Sequence, residues 1–308
     1  MPSPSGPDGE SGGHPAPLDV HPLDLTIGDD ERELTRVRRE ATAADGAPPF
    51  SDQTIVDLRS GARTAIATRD GDGAVTGIAA LTATGTPREA EFVVAPGARH
   101  RGIGSAILSQ LLELGDGDLL VWAHGDHPDA RALAARFGLD PIRELLQLHL
   151  TLDDGDLPYA SSSTVDVRPF RPGVDDAAWL AVNAVAFADH PEQGAMTQAD
   201  LDARMAEEWF DADDFLLSHD AGGALTGFCW LKIEGDVGEF YAVGVAPGAQ
   251  GSGLGRMLVN AGLARFASRG IHDLALYVEG DNTAALRLYR SVGFTDFAVD
   301  IQYRSTRR

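Results

Sequence analysis

Two glycine-rich segments of this chain resemble one another, and this repeat constrains the fold more than any other feature. VVAPGARHRGIG ends at Gly104 and VGVAPGAQGSGLG ends at Gly255, so equivalent positions lie 151 residues apart. Further along, VWAHGDHPDARALAARFGL matches LYVEGDNTAALRLYRSVGF at a spacing of 155 residues. Two copies of one domain explain both spacings, if the second copy carries four extra residues between the two segments.

The length fits this duplication, since 308 residues at roughly 150 per domain predict two domains. Residues 1–20 are rich in Pro, Gly and Ser and predict a disordered tail. The polar, turn-prone stretch 153–163 predicts a linker. We therefore expect an N-terminal domain over 21–152 and a C-terminal domain over 164–308.

Each copy shows the same alternation of predicted elements. An early helix (about 31–44 and 175–187) precedes strand-like runs over 64–68 and 75–81 in the first copy, and over 215–218 and 224–233 in the second. A third strand ends at the glycine-rich turn, and a helix, a short apolar strand (119–123; 274–278), a second helix and a closing strand follow. This order predicts an α/β fold, in which each domain is a mixed twisted sheet flanked by helices.

The composition excludes several classes of partner. Acidic residues give a net charge of −22, which repels nucleic acid and anionic membrane surfaces. With Cys229 as the single cysteine, we expect no internal disulfide and a reducing, cytoplasmic compartment. We also expect a monomer. No metal is expected, because His124 and His127 lack the spacing of metal ligands and fit a loop better. Cys229 is expected to be a small core residue.

The glycine-rich turns suit an anion. A helix entered through glycine offers unpaired N–H groups and the positive end of the helix dipole, which together favour a pyrophosphate. The dinucleotide motif G-x-G-x-x-G fails at Arg256 and Ile107, and the G-x-x-x-x-G-K-[ST] loop is impossible because Lys232 is the only lysine. The pattern that remains is Q/R-x-x-G-x-G between a strand and a helix.

This pattern resembles the acyl-CoA pyrophosphate loop of the GNAT superfamily of N-acetyltransferases. The second half is further similar to the mycothiol synthases, tandem acetyltransferases of actinobacteria, in NAVAFADHPEQGAMT, GFCWLKI, GEFYAVGVAPGAQGSGLG and LYVEGDNTAALRLYRSVGF. In the first half, ADGAPPFSDQ and VWAHGD fit as well. The resemblance implies acetyl transfer from acetyl-CoA, as co-substrate, to the cysteinyl amine of cysteinyl-glucosaminyl-inositol.

Acetyl transfer to an amine needs a base for the ammonium group and an acid for the departing thiolate. Glu239, on the strand that leads to the second turn, matches the family's base. Tyr289, in the helix predicted over Asn282–Ser291, matches its acid. A solvated carboxylate and a packing tyrosine are the alternative interpretations of these two residues.

The resemblance also implies residues that bind the cofactor. In the second half these are Val243, Gly244, Val245, Gln250, Gly251, Ser252, Gly253, Leu254, Gly255, Arg256, Asn282 and Arg287. In the first half they are Phe92, Val93, Val94, Arg99, Gly102 and Gly104. Gly251 and Ser252 depart from the family, which more usually has arginines at these positions of the turn.

Acceptor contacts implied by the family are Asp52, Glu192, Lys232, Tyr277 and Glu239 itself. Asp52 is one methylene shorter than the glutamate expected there, and it could instead cap the N-terminus of a helix.

The first half lacks both proton-transfer groups. Arg88 stands 151 residues before Glu239, and Ala134 stands 155 residues before Tyr289. We therefore expect the N-terminal domain to bind acetyl-CoA without turning it over. Two alternatives stay open: a tandem acetyltransferase for another amine, such as an aminoglycoside or a protein N-terminus, and a non-catalytic acyl-CoA sensor.

Overall fold

The computed structural model describes residues 20–25, 28–82, 87–115, 117–153, 167–188 and 193–305. The predicted tail and nearly all of the predicted linker lie outside these residues. The chain divides into two compact units, one formed by the residues up to Glu144 and from Val299 onward, the other by Leu145–Ala298. No helix in the described ranges is long and apolar enough to cross a membrane.

The first unit contains a mixed sheet with helices on both faces. Its elements are β1 (Val20–Leu23), α1 (Gly28–Asp45), α2 (Asp52–Ser60), β2 (Arg63–Arg69), β3 (Val75–Thr82), β4 (Arg88–Val94), α3 (Ile103–Glu113), β5 (Leu119–Ala123), α4 (Pro128–Phe137) and the end of β12 (Thr295–Ser305). The strand order is β1-β2-β3-β4-β5-β12. The pair β4–β5 is parallel and the other pairs described in this unit are antiparallel.

Two apolar clusters cover this sheet. One joins α1 and α2 to the strands through Val37, Phe50 and Leu58, and the other joins α3 and α4 through Leu111 and Ala134. Burial of these side chains holds the helices against the sheet. The predicted α/β class is thereby confirmed for this unit.

The second unit repeats the plan. Its elements are the end of β6 (Asp140–Thr151), β7 (Val167–Pro169), α5 (Asp176–Ala186), α6 (Gln198–Met205), β8 (Phe215–His219), β9 (Leu225–Glu234), β10 (Val237–Val245), α7 (Leu254–Ser268), β11 (Asp273–Glu279), α8 (Thr283–Ser291) and the start of β12. The strand order is β6-β11-β10-β9-β8-β7, with β10–β11 as the parallel pair. Trp179 of α5 packs edge-on against Phe215, Phe228 and Trp230, which forms the core of one face.

The two copies differ in length where the sequence repeat predicts it. Helix α3 has 11 residues and α7 has 15, which accounts for the four extra residues of the second copy. Gly104 lies against Leu133 and Val94, and Gly255 lies against the equivalent Leu288 and Val245. The same glycine therefore occupies the same environment in both copies.

The closing strands do not follow the predicted domain boundary. Residues 145–151 of β6 pair with β11 in the second unit, and Ile301–Ser305 of β12 pair with β5 in the first. The predicted boundaries of 21–152 and 164–308 assign each closing strand to its own half of the sequence. In the structure, each compact unit instead contains the later part of the closing strand of the other half: residues 145–151 of β6 belong to the second unit, and residues 299–305 of β12 belong to the first.

Candidate active site

A β-bulge in β10 determines which side chains share a face. Glu239 lies opposite Lys232 of β9, but the pairing shifts between Phe240 and Ala242, so Tyr241 is the extra residue. Side chains alternate between faces along a strand, and one extra residue reverses the alternation. Glu239 and Ala242 consequently face α5 and α6, whereas Phe240 and Val243 face α7.

The same strand separates from its parallel neighbour after Phe240, one residue beyond Glu239. The pairs that β10 makes with β11 run from Val237 to Phe240, and within the described residues none continues to Val245. Over Ala242–Val245 the strand pairs with β9 alone. Half of the backbone N–H and C=O groups of Val243, Gly244 and Val245 therefore face an open edge that can bind an extended, amide-containing ligand.

The glycine-rich turn links this edge to α7. A short 3-10 helix (Pro247–Ala249) is followed by Gly251 and Gly253, whose φ values of +75° and +87° favour glycine. Gln250 Nε2 donates to the carbonyl of Val245, and Ser252 Oγ donates to that of Ala249. Gly253 precedes Leu254, Gly255 and Arg256 and provides no side-chain cap. Their backbone N–H groups are therefore suited to an anion.

Other residues predicted to bind the cofactor lie at the start of α8. Asn282 is its N-cap, and its Oδ1 accepts from the N–H of Ala285. Arg287 is exposed and donates from Nε to the carbonyl of Thr283. Arg256, on the first turn of α7, donates to Ser291 Oγ. Arg256 thus adds a positive charge beside the glycine-rich turn, and Arg287 adds one on α8.

Tyr289 is buried on the face that α7 covers. Its relative exposure is 8%, its ring packs edge-on against Phe294, and Phe294 packs against Phe240. Burial, with a smaller effect from the Cys229 thiol, raises the pKa of the Tyr289 phenol above its usual value. The phenol is therefore fully protonated at neutral pH, as a proton donor must be. Cys229 itself is buried in β9, and burial raises the pKa of its thiol, which disfavours a nucleophilic thiolate.

Lys232 and Tyr277 share the face of Glu239. Glu239 pairs with Lys232 on one side and with Ala275 on the other, and Tyr277 lies two residues beyond Ala275 on β11. Lys232 Nζ lies 2.7 Å from Glu234 Oε2 and 5.7 Å from the centre of the Trp209 ring, whereas Tyr277 is 46% exposed. The structure thus brings together three of the predicted acceptor contacts.

Of the other two predicted contacts, one belongs to the first unit and one lies outside the described residues. Asp52 is an exposed residue of the first unit, at the first position of α2, and Ser51 caps that helix by accepting from the N–H of Thr54. The alternative that Asp52 is the helix cap is therefore wrong. Glu192 lies outside the described residues.

The face of the sheet that carries Glu239, Lys232 and Tyr277 also contains residues that sequence reasoning missed. Trp209 packs against Tyr241 and Trp230, with ring centres 5.1 and 5.9 Å apart. Burial raises the pKa of Tyr241, while a hydrogen bond with Arg204 and the charge of that guanidinium oppose the shift. The bulge that turns Tyr241 toward Trp209 leaves no signal in the residue pattern.

The first unit contains a cavity of about 380 Å³ at the equivalent place. Strands β4 and β5 pair from Arg88 to Glu91 and then separate, and the predicted cofactor residues all line the cavity: Phe92, Val93, Val94, Arg99, Gly102 and Gly104. Arg99 Nε donates to the carbonyl of Val94, which matches the bond of Gln250, and its two terminal nitrogens each lie 2.7 Å from a carboxylate oxygen of Asp45.

The counterparts of the proton-transfer residues have other roles in this unit. The guanidinium of Arg88 donates to the carbonyls of Leu111 and Gly115 at the end of α3. Ala134 lines the cavity and has no titratable group. Neither residue is able to transfer a proton to a ligand in the cavity.

A buried charged cluster borders the same cavity. His124 Nδ1 lies 2.8 Å from Asp300 Oδ2, and its Nε2 lies 3.4 Å from Glu91 Oε2. Glu91 also accepts hydrogen bonds from Ser51 and Thr54. In the part of the chain that the structure describes, no group of three or more His, Cys, Asp or Glu residues is arranged to hold a metal ion.

Comparison with known proteins agrees with this architecture. The family profile of the Acetyltransferase (GNAT) family matches residues 32–139 and again 179–294, so the chain belongs to that family. It is 47% identical to a mycothiol acetyltransferase of Sanguibacter keddieii, over 92% of this chain and 96% of the relative. It is 46% identical to one of Kocuria rhizophila, over 89% and 95%. A GCN5-related N-acetyltransferase of Sphaerobacter thermophilus shares the fold, with a TM-score of 0.75 and 20% identity over 95% of this chain and 96% of that protein.

Proposed function

We propose that this chain transfers the acetyl group of acetyl-CoA to the cysteinyl amine of cysteinyl-glucosaminyl-inositol, giving mycothiol and CoA. The observation that carries the chemistry is the position of Glu239, one residue before Phe240, where the pairing of β10 with β11 ends. The choice of acceptor is supported by the two mycothiol acetyltransferases, whose identity of 46–47% extends over about nine-tenths of the chain.

Glu239 is the proposed base. An α-amino group has a pKa of about 8, so most of it is protonated at neutral pH and cannot attack. A carboxylate at the edge of the opening can take the proton as the amine reaches the thioester carbonyl. Lys232, another proposed acceptor contact, lies directly opposite Glu239 on β9.

Tyr289 is the proposed acid. It lies on the face opposite to Glu239, so the two residues approach the opening between β10 and β11 from the two sides of the sheet. A thiol near pKa 8.5 departs more readily when its sulfur is protonated, and the buried phenol carries the required proton. The open edge of Val243–Val245 would hold the pantetheine amides and the carbonyl of the thioester.

The first unit is proposed to bind acetyl-CoA without turnover. Its glycine-rich turn and separated strands fit the same ligand, but Arg88 is bonded to the end of α3 and Ala134 has no proton to give. We further propose that the protein is a cytoplasmic monomer.

Incubation with acetyl-CoA and a panel of amines tests the function. The cysteinyl pseudodisaccharide should release CoA much faster than an aminoglycoside or a peptide N-terminus. Acetylation of an aminoglycoside in its place would overturn the proposed acceptor and favour the tandem acetyltransferase of other specificity. Binding of acetyl-CoA to both units without CoA release from any amine would favour the acyl-CoA sensor.

A further inference from the structure

A second cavity lies between strands β6, β11 and β10, near the end of β10 that is away from the opening between β10 and β11. It has a volume of about 220 Å³, and its lining includes His149, Thr151, Val237, Asp273 and Ala275. These five residues form two adjacent rows across the sheet. Val237, Asp273 and Thr151 form one row, and Ala275 and His149 continue the row of Glu239. We call this cavity the β6–β10 recess.

The register places the recess on the face of the sheet that carries Glu239, Lys232 and Tyr277. Residues paired across neighbouring strands point to the same side, as do residues two apart along one strand. All five side chains therefore share the face of Glu239. His149 lies two strands from Glu239, about 10 Å away at the usual strand spacing. The only residue between them is Ala275, whose methyl group leaves the path open.

His149 has an unused hydrogen-bonding atom at this place. Its Nε2 is buried and has no hydrogen-bond partner, while its ring stacks on Phe297 with the ring centres 3.7 Å apart. A buried polar atom without a partner costs free energy that a bound ligand can recover. Burial lowers the pKa of the His149 imidazole, although the charge of Asp273 opposes the shift. The ring is therefore neutral at pH 7 and does not repel an ammonium group at Glu239.

Asp273 supplies the complementary group. Its Oδ1 accepts from Thr151 Oγ1 at 3.0 Å, which fixes the carboxylate and leaves Oδ2 available to accept. A hydroxyl group both donates and accepts, so it can donate to Asp273 while accepting from the His149 Nε2–H tautomer. The exposed ring of Phe297 adds apolar surface next to this pair.

We propose that the β6–β10 recess is a subsite for a hydroxyl group of the acceptor, and that His149 and Asp273 determine specificity for a polyol. The subsite rests on the proposed function. With the amine held at Glu239 next to the thioester, the remainder of the acceptor extends away from the cofactor edge, along the two rows that form the recess. The ring hydroxyls of a sugar, several bonds from the amine, are the groups that reach it.

The test compares two acceptors on two matched variants. His149→Leu removes the ring nitrogen at similar volume, and His149→Gln restores a side-chain amide near the position of Nε2. We expect His149→Leu to raise KM for the cysteinyl pseudodisaccharide about five- to tenfold, the effect of one hydrogen bond, with kcat within about twofold. For cysteinamide, which has no hydroxyl groups, kcat/KM should stay unchanged, and His149→Gln should recover most of the loss.

Other results overturn the subsite. An equal change for both acceptors, no change for either, or a loss in kcat at constant KM would show that His149 does not bind acceptor hydroxyls. If His149→Leu does not fold, Asp273→Asn is the second variant, since this strand position is exposed. Asp273→Asn must raise KM selectively for the pseudodisaccharide, and an unchanged KM refutes the assignment. A wild-type protein that releases no CoA with this acceptor refutes the proposed function itself, which is a different outcome from a working enzyme that is indifferent to His149.

Discussion

The charged cluster of the first unit makes its stability depend on pH in a defined range. Burial opposes a charge on His124, but hydrogen bonds and charges from Asp300 and Glu91 prevail and raise the pKa of His124 to about 10. In the unfolded chain the same imidazole titrates near 6.5. The folded unit therefore keeps a proton that the unfolded chain loses, and the resulting stabilisation is complete below pH 6.5 and disappears as the pH rises through 10.

The magnitude follows from the width of this range. In the pH range where His124 is protonated only in the folded state, each rise of one pH unit lowers the free energy of unfolding by about 1.4 kcal/mol. Between pH 7 and pH 9 the first unit should lose about 2.5 kcal/mol, an order-of-magnitude figure. The variant His124→Gln cannot titrate, so its free energy of unfolding should be nearly constant over this range, although it is lower than that of the wild type at pH 7.

Urea unfolding can be followed separately in the two units. The protein is equilibrated in urea at pH 7 or at pH 9 and then exposed to a brief deuterium pulse at one fixed pH, and deuterium uptake is measured peptide by peptide. Peptides from β3 and β4 report on the first unit, and peptides from β9 and β10 are the internal control. The wild-type first unit should unfold at markedly lower urea at pH 9 than at pH 7, and His124→Gln should not. An identical shift with pH in the wild type and in the variant would refute the argument that His124 is held protonated.

Three further predictions concern turnover and ligand binding. Glu239→Gln should lower kcat about a hundredfold or more while calorimetry still detects CoA binding, and an unchanged kcat removes Glu239 from the mechanism. Tyr289→Phe should lower kcat by a similar order without changing the urea midpoint of the second unit; full activity would show that the phenol only packs. Gly253→Val, at φ +87°, should weaken acetyl-CoA binding at the proposed catalytic unit about tenfold through backbone strain, whereas Gly102→Val, at φ +83°, should weaken binding at the first unit by a similar factor and leave kcat intact. Equal loss of turnover in both glycine variants would contradict the assignment of catalysis to the second unit.

The repeat made much of the fold predictable. The two spacings predicted four extra residues, and α7 is four residues longer than α3. Strand β5 begins and ends where the apolar run predicts, and most other elements differ from their predicted bounds by one to three residues. These features depend on local patterns of apolar residues and glycine, which a single sequence displays directly.

Features that depend on distant parts of the chain were not predictable. His124 and Asp300 are 176 residues apart, and nothing near either residue indicates the other. The bulge at Tyr241 is likewise set by how β9 and β10 register, so Trp209 and Tyr241 were missed as neighbours of Glu239. The closing strands β6 and β12 have similar apolar character, and the sequence gives no sign of which sheet each one completes.

The placement of β12 has a consequence for biosynthesis. Strand β12, which pairs with β5, follows all the other described strands of both units in the sequence, so a ribosome must synthesise those strands before this part of the first sheet can close. Until then β5 presents an unpaired edge, which is prone to pair with another nascent chain. A fragment cut at the linker would keep this exposed edge permanently, so the two halves are expected to reach their native states together.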